Sequence, residues 1–158
     1  MIKKFSYLFI ILFFISGCKA DEDLIDIFEP KFELTSFDVV QKKLVVEKEL
    51  PNHVQLLITK WFDEKVKVDG FDGNMKFTIT NYKEETSSLS DGKRVDVSLS
   101  FQVVLKKPSL SQTKIVEGEV SSYGTLTGDL TLNEFDRVIK NTQRNLILIL
   151  SRDLKNKI

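Results

Sequence analysis

The sequence is poor in the residues that most often build reactive sites, with one cysteine and one histidine among 158 residues. A single cysteine cannot form a disulfide within the chain, so we expect packing alone to hold the fold. The same scarcity argues against a His/Cys metal cluster. Lys and Arg total 23, as do Asp and Glu, and no basic face of the kind that binds nucleic acid is evident. The sequence therefore predicts no metal site and no nucleic-acid partner.

Signals for catalysis are also scarce. Nucleophilic catalysis needs a base that a third group orients, and no Gly-x-Ser-x-Gly motif occurs. His53 precedes an apolar helical pattern, which predicts a surface or capping role. The carboxylates at 63–64 and 84–85 are adjacent in sequence, so each pair points in diverging directions. Asp69-Gly-Phe-Asp-Gly-Asn74 lacks the distal glutamate of a calcium loop and predicts a turn. We therefore predict no catalytic residue and no enzymatic activity.

The first eighteen residues carry the clearest signal in the chain. Lys3 and Lys4 form a basic head, an apolar run follows over 7–15, and small residues lead to Cys18. This order is typical of a secretory signal peptide. The run is about half of the ~20 apolar residues that a spanning helix needs. Acidic residues at 21–23 follow in place of a basic cluster, which disfavours a membrane-spanning anchor.

The end of this segment resembles the bacterial lipobox. That resemblance implies removal of residues 1–17 and attachment of a diacylglycerol and an N-acyl chain to Cys18, with no other cofactor. Three acyl chains bury far more methylene than one myristoyl chain, which binds membranes only reversibly. In enteric lipoproteins an aspartate after the cysteine retains the protein in the inner membrane. Lys19 stands there instead, which implies the outer membrane, with the chain on its periplasmic side.

The remaining chain predicts an acidic, lipidated tether over 18–30 and a single domain over 31–158. The predicted elements are a strand at 31–40 that can continue through 44–46, a helix at 51–66, strands at 74–82, 94–105 and 114–123, and a helix at 133–156. Residues 86–92 predict a polar loop. Thr131 and Glu134 fit a capping box before the last helix.

This order of elements predicts an α+β two-layer sandwich, in which two helices cover one face of a small antiparallel or mixed sheet. The other face would carry mostly uncharged side chains: Lys76, Thr78, Thr80, Tyr82, Asp96, Ser98, Ser100, Gln102 and Val104. Such a face is compatible with docking against a polar surface, although the β-propensity of threonine explains it equally well. Candidate contacts are the outward-facing Thr78 and Ser100, with Lys106 and Lys107 at a strand end.

The assembled features resemble the lipopolysaccharide-assembly lipoprotein (LptE) family. The strand Lys114-Ile-Val-Glu-Gly-Glu-Val-Ser-Ser-Tyr-Gly124 followed by the long terminal helix carries the local likeness. The resemblance implies a non-enzymatic lipoprotein that sits inside the lipopolysaccharide-exporting outer-membrane barrel and can contact lipopolysaccharide. Two alternatives stay open. One is an auxiliary lipoprotein of an envelope ABC lipid transporter, and the other is a periplasmic ligand-binding lipoprotein.

Replacing the acylation site tests the lipobox directly. We expect Cys18→Ser to yield an unprocessed or soluble protein, because serine offers no thiol for the diacylglycerol. Intact-protein mass spectrometry of the natural chain should show loss of residues 1–17 and a mass increase on Cys18. A mature, unmodified Cys18 would contradict the lipobox interpretation.

Overall fold

The computed structural model describes Phe32, residues 34–128 and residues 131–157, and the predicted signal peptide, Cys18 and tether lie outside that part. Residues 31–158 form one compact unit. The described elements are the strands β1 (Thr35–Phe37), β2 (Gln41–Val46), β3 (Val66–Val68), β4 (Asn74–Leu89), β5 (Gly92–Lys107) and β6 (Gln112–Thr127), and the helices α1 (Asn52–Lys65) and α2 (Leu132–Lys157).

The main sheet is mixed and has the strand order β2-β4-β5-β6. β4, β5 and β6 pair antiparallel, whereas β2 pairs parallel to β4 because α1 carries the chain back between them. β1 and β3 form a second, two-stranded parallel sheet. The predicted α+β class, with a sheet packed against helices, is confirmed.

The predicted first strand is interrupted by a bend at residues 38–40, which separates β1 from β2. A matching break at residues 69–73 separates β3 from β4. The two breaks meet, since the Gly70 N–H donates to the Val39 carbonyl at 3.1 Å. A Cβ atom on Gly70 would lie 2.4 Å from the Val39 nitrogen. Only glycine allows this close approach of the two backbones.

The predicted polar loop at 86–92 is wrong, because β4 continues to Leu89 and β5 begins at Gly92. Ser87 pairs with Arg94 and Leu89 pairs with Gly92, so only Ser90 and Asp91 form the turn. Polar side chains do not prevent strand pairing where both faces meet water. Gly92, with φ 144°, supplies the unusual backbone conformation that the tight turn requires.

Both helices pack on the same face of the main sheet. Trp61 and Phe62 of α1 lie against Phe77 of β4, with ring centroids 5.5 and 6.0 Å apart. Phe77 stacks in turn on Phe101 of β5 at 5.6 Å. On the α2 side, a Cβ on Gly124 of β6 would lie 2.3 Å from the Thr142 hydroxyl oxygen. The predicted apolar stripe of β5 is buried at Val95, Val97, Leu99, Phe101 and Val103.

The predicted capping box begins α2. The Thr131 N–H donates to the Glu134 carboxylate at 3.0 Å, and the Glu134 N–H donates to the Thr131 hydroxyl oxygen at 3.3 Å. The apolar turn at 146–150 is helical, as predicted. Leu146 and Leu150 point into the core and are fully buried.

Three leucines of the helices differ in burial and therefore test the packing. Leu146 is 0% exposed, Leu57 is half-buried and Leu56 is 66% exposed. We expect Leu146→Ala to lower the free energy of unfolding by ~2–5 kcal/mol, since it removes a buried side chain and leaves a cavity. Leu57→Ala should cost less, and Leu56→Ala, the matched control, should change little. Chemical denaturation measures all three. Equal effects at Leu56 and Leu146 would contradict this packing.

Candidate binding surface

The candidate surface is the face of the main sheet opposite the helices, termed here the outer face. Strand register places Thr78 beside Gln102, Ser98 beside Lys83 and Ser121, and Ser100 beside Glu119. Both described helices lie on the other face, so none of their side chains covers this one. Its residues on β4, β5 and β6 include Lys76, Thr78, Lys83, Glu85, Arg94, Asp96, Ser98, Ser100, Gln102, Val104, Ile115, Glu117, Glu119, Ser121 and Tyr123.

Two large side chains on β6 stand exposed on the outer face. Ile115 is 58% exposed and Tyr123 is 62% exposed. They lie toward opposite ends of the strand, with Ser121 and two glutamates between them. Tyrosine is among the residue types that most often anchor protein interfaces.

The predicted outward position of Tyr82 is wrong, because a bulge shifts the register of β4 between Ile79 and Asn81. Tyr82 therefore pairs with Leu99 and lies on the helix side of the sheet. Its hydroxyl donates to the Glu84 carboxylate at 2.6 Å, which also accepts from the Gln143 amide at 2.8 Å. Burial, together with Glu84, raises the pKa of Tyr82 well above its usual range. The bulge brings Lys83 and Glu85 to the outer face instead.

The two predicted central contacts differ in accessibility. Thr78 lies on the outer face but is only 2% exposed, so the expectation that it faces outward into solvent is wrong. It sits between Val45 of β2 and Gln102 of β5, where neighbouring strands cover it on both sides. Its hydroxyl has no hydrogen-bond partner among the described residues. Ser100 is half-buried and remains reachable from outside.

Lys106 and Lys107 lie on opposite faces of β5, because successive strand residues alternate. Lys106 is exposed on the outer face, whereas Lys107 lies on the helix side and forms an ion pair with Asp38. The structure thus brings Thr78, Ser100 and Lys106 to one face and separates Lys107 from them.

The sequence did not predict the polar cleft of about 230 Å³ at the hairpin end of the outer face. Two Arg94 guanidinium nitrogens donate to Asp96, at 2.9 and 2.7 Å, and the guanidinium lies 4.4 Å from the Tyr123 ring centroid. Asp96 raises the pKa of Arg94. The opposite charges two residues apart on one strand face were the available signal for this pair.

A second cleft, of about 270 Å³, lies on the helix side between β1 and the ends of β5 and β6. Phe37 and Leu105 contribute to its lining, with Lys107 and Lys114. Both clefts are smaller than the ~300–1,000 Å³ typical of small-molecule sites, so neither favours a ligand-binding lipoprotein.

His53 is half-buried and lies near helix α2, and its predicted capping role is wrong. The first turn of α1 has no side-chain cap, and the His53 Nε2 atom is buried without a hydrogen-bond partner among the described residues. Burial lowers the pKa of His53, and the nearby cations Arg144 and Lys140 lower it further, while Asp136 opposes them. The imidazole therefore stays neutral to a lower pH than a free histidine does.

Within residues 34–128 and 131–157, no group of three or more His, Cys, Asp or Glu side chains is placed to hold a metal ion. No helix in the same part of the chain is both long enough and apolar enough to cross a membrane.

No protein-family model matches the chain, and no curated protein matches it. Among solved structures, it is similar to a minor lipoprotein from Acinetobacter baumannii, at 14% identity over 76% of this chain and 92% of that chain, with a TM-score of 0.47. It is also similar to rare lipoprotein B from Shewanella oneidensis, at 15% identity over 74% and 96%, with a TM-score of 0.48. At these values the likenesses assign neither family nor function.

The position of His53 predicts a pH-dependent stability. Because the folded-state pKa is lowered, the unfolded chain binds the proton more readily. The stability is therefore complete above about pH 6.5 and declines as pH falls through the folded-state pKa. We expect the melting temperature of the natural chain to fall between about pH 7.5 and about pH 5.

The control for this prediction is His53→Gln, which should show a smaller fall over the same interval because glutamine does not titrate. Thermal denaturation followed by circular dichroism measures both proteins. Identical pH dependence in both would mean that His53 is not the group responsible.

Proposed function

We propose that the chain is a bacterial envelope lipoprotein, acylated at Cys18, that acts by binding an outer-membrane partner through the outer face. The observation that carries this proposal is a sheet with both described helices on one face and an accessible, mostly uncharged centre on the other. The lipid anchor would hold the protein at the membrane where its partner resides. No catalytic step is part of the proposed role.

The charges on the outer face support docking, because several are already paired within the chain. Arg94 is held by Asp96, and Glu117 accepts a hydrogen bond from the Gln102 amide at 2.6 Å. An unpaired charge costs several kcal/mol when a partner removes it from water, whereas a paired charge costs less. The serine-rich centre leaves neutral groups that can hydrogen-bond to a polar surface.

We further propose that the partner is the lipopolysaccharide-export barrel. Outer-membrane barrels have polar interiors, and the serine side chains and Gln102 at the centre of the outer face, with charged residues around them, suit such a lining. Lys106, exposed at one end of the outer face, could meet the phosphate groups of lipopolysaccharide, since lysine binds phosphate as a point charge. The sequence resemblance to the lipopolysaccharide-assembly lipoproteins supports the same partner.

Charges introduced at the centre of the outer face test this proposal. Glutamate at Thr78 is unsuitable because that side chain is buried, and glutamate at Ser100 would face Glu119. We instead combine Ser98→Glu, which faces Lys83, with Ser100→Lys, which faces Glu119. Cross-strand pairs of opposite charge keep the sheet stable, so partner capture should fall while the fold persists.

The matched control is Gln55→Glu with Thr59→Lys, which adds the same two charges to exposed positions of α1. Each full chain is purified from detergent-solubilised outer membranes, and the barrel that accompanies it is quantified by mass spectrometry. We expect the sheet variant to lose most of the barrel and the helix variant to keep it. Equal recovery with both variants would show that the outer face is not the docking surface.

A further inference from the structure

Strand β6 is a long edge of the main sheet. Its 16 residues pair with β5 along their whole length, without a register shift. No strand in the described part of the chain pairs with its other side. Natural proteins usually shorten or bend such edges, or place charges or proline on them. The opposite edge follows this rule, since β2 has only 6 residues, two of them lysines.

The segment Glu119–Thr127 of β6 lacks these protections. It contains no proline, and Glu119 is its only charged residue. The rest is valine, leucine, tyrosine, serine, threonine and one glycine, mostly residues that strands favour or accept. By comparison, the unpaired part of β4 near the hairpin carries Lys83, Glu84 and Glu85 in succession.

The backbone of this segment offers groups for pairing. The Gly128 N–H donates to the Asp91 carbonyl at 3.4 Å. Gly128 and Asp91 are therefore a hydrogen-bonded pair, rather than a non-hydrogen-bonded pair, of the antiparallel ladder. Because such pairs alternate along a strand, even-numbered residues of β6 point their backbone groups toward β5. The N–H and C=O groups of Glu119, Ser121, Tyr123 and Thr125 therefore point away from the sheet.

We propose that Glu119–Thr127 accepts one extended strand of another polypeptide, with a lysine or arginine beside Glu119. This inference deepens the proposed function by naming a second contact and the kind of segment that makes it. Backbone hydrogen bonds would supply the attachment, as in other cases of strand addition.

Charge selects the residue beside Glu119. On the β5 side its cross-strand neighbour is the neutral Ser100, so no opposite charge faces it there. Glu117, two residues away on the same face, already accepts from Gln102. A cation on the incoming strand would lie directly opposite Glu119, and such pairs stabilise a sheet.

Helix α2 argues against a second copy of this chain as the occupant. Thr142 and Val138 of α2 press on Gly124, so the helix lies directly over β6. If a second copy paired through the same segment, its α2 would lie only one strand spacing, ~4.8 Å, from the α2 of the first copy. Packed helices need about 8–10 Å between their axes. The edge therefore fits a strand that carries no helix on that side.

A proline at an edge-facing amide gives a direct test. Ser121→Pro removes an N–H that points away from β5, so the β5–β6 ladder survives. Ser121→Thr keeps the N–H and serves as the matched control. The probe is a fluorescent nine-residue peptide of alternating valine and threonine, with lysine replacing one threonine. Against the full chain in detergent micelles, Ser121→Pro should weaken binding at least about tenfold, and Ser121→Thr should not.

Two further measurements complete the test. Hydrogen exchange of the natural chain should slow at the amides of Ser121, Tyr123 and Thr125 when the peptide binds. A second peptide, in which glutamate replaces the lysine, should bind at least roughly threefold more weakly, because its charge would repel Glu119. Equal peptide affinity of the proline and threonine variants, or dimers of the full chain formed through this edge, would overturn the inference. Neither result depends on barrel capture, and Ser98→Glu alone, which gives Glu119 no new opposite charge, tests the outer face separately.

Discussion

Strand β5 imposes the constraint on which the other features depend. It lies at the centre of the antiparallel part of the sheet and alternates apolar and polar side chains from Val95 to Val103. Its apolar side chains must be shielded from water, and α1 and α2 pack over them. Its polar side chains can remain in water, on the face that β5 shares with β4 and β6. The alternation of β5 thus gives the sheet one face that forms the core with the helices and an outer face that is available for binding.

The sheet around β5 departs from regularity at two places that matter for function. The bulge after Ile79 turns Tyr82 inward, where Glu84 and Gln143 hold it, and turns Lys83 outward. At Gly124, the missing side chain lets α2 descend onto β6. The first feature sets the charges at the hairpin end of the outer face, and the second limits what can pair with the edge of β6.

Local patterns predicted the parts of the fold that depend on neighbouring residues. The capping box at Thr131 and Glu134 and the alternation of β5 are such cases, and both were correct. The parallel pairing of β2 with β4 depends on where α1 returns the chain, which local patterns do not encode. The bulge leaves no signature in the sequence, so Tyr82 was assigned to the wrong face. The burial of Thr78 arises from neighbouring strands and was equally invisible.

We propose that the outer face, rather than the helix layer, meets the partner. Site-specific photocrosslinking in intact cells tests it most directly, with a photoreactive amino acid in place of Ile115 or of Leu56. These side chains are similarly exposed, at 58% and 66%, but lie on opposite sides of the molecule. We expect an adduct with an outer-membrane barrel from position 115 and none from position 56. An adduct only from position 56 would contradict it.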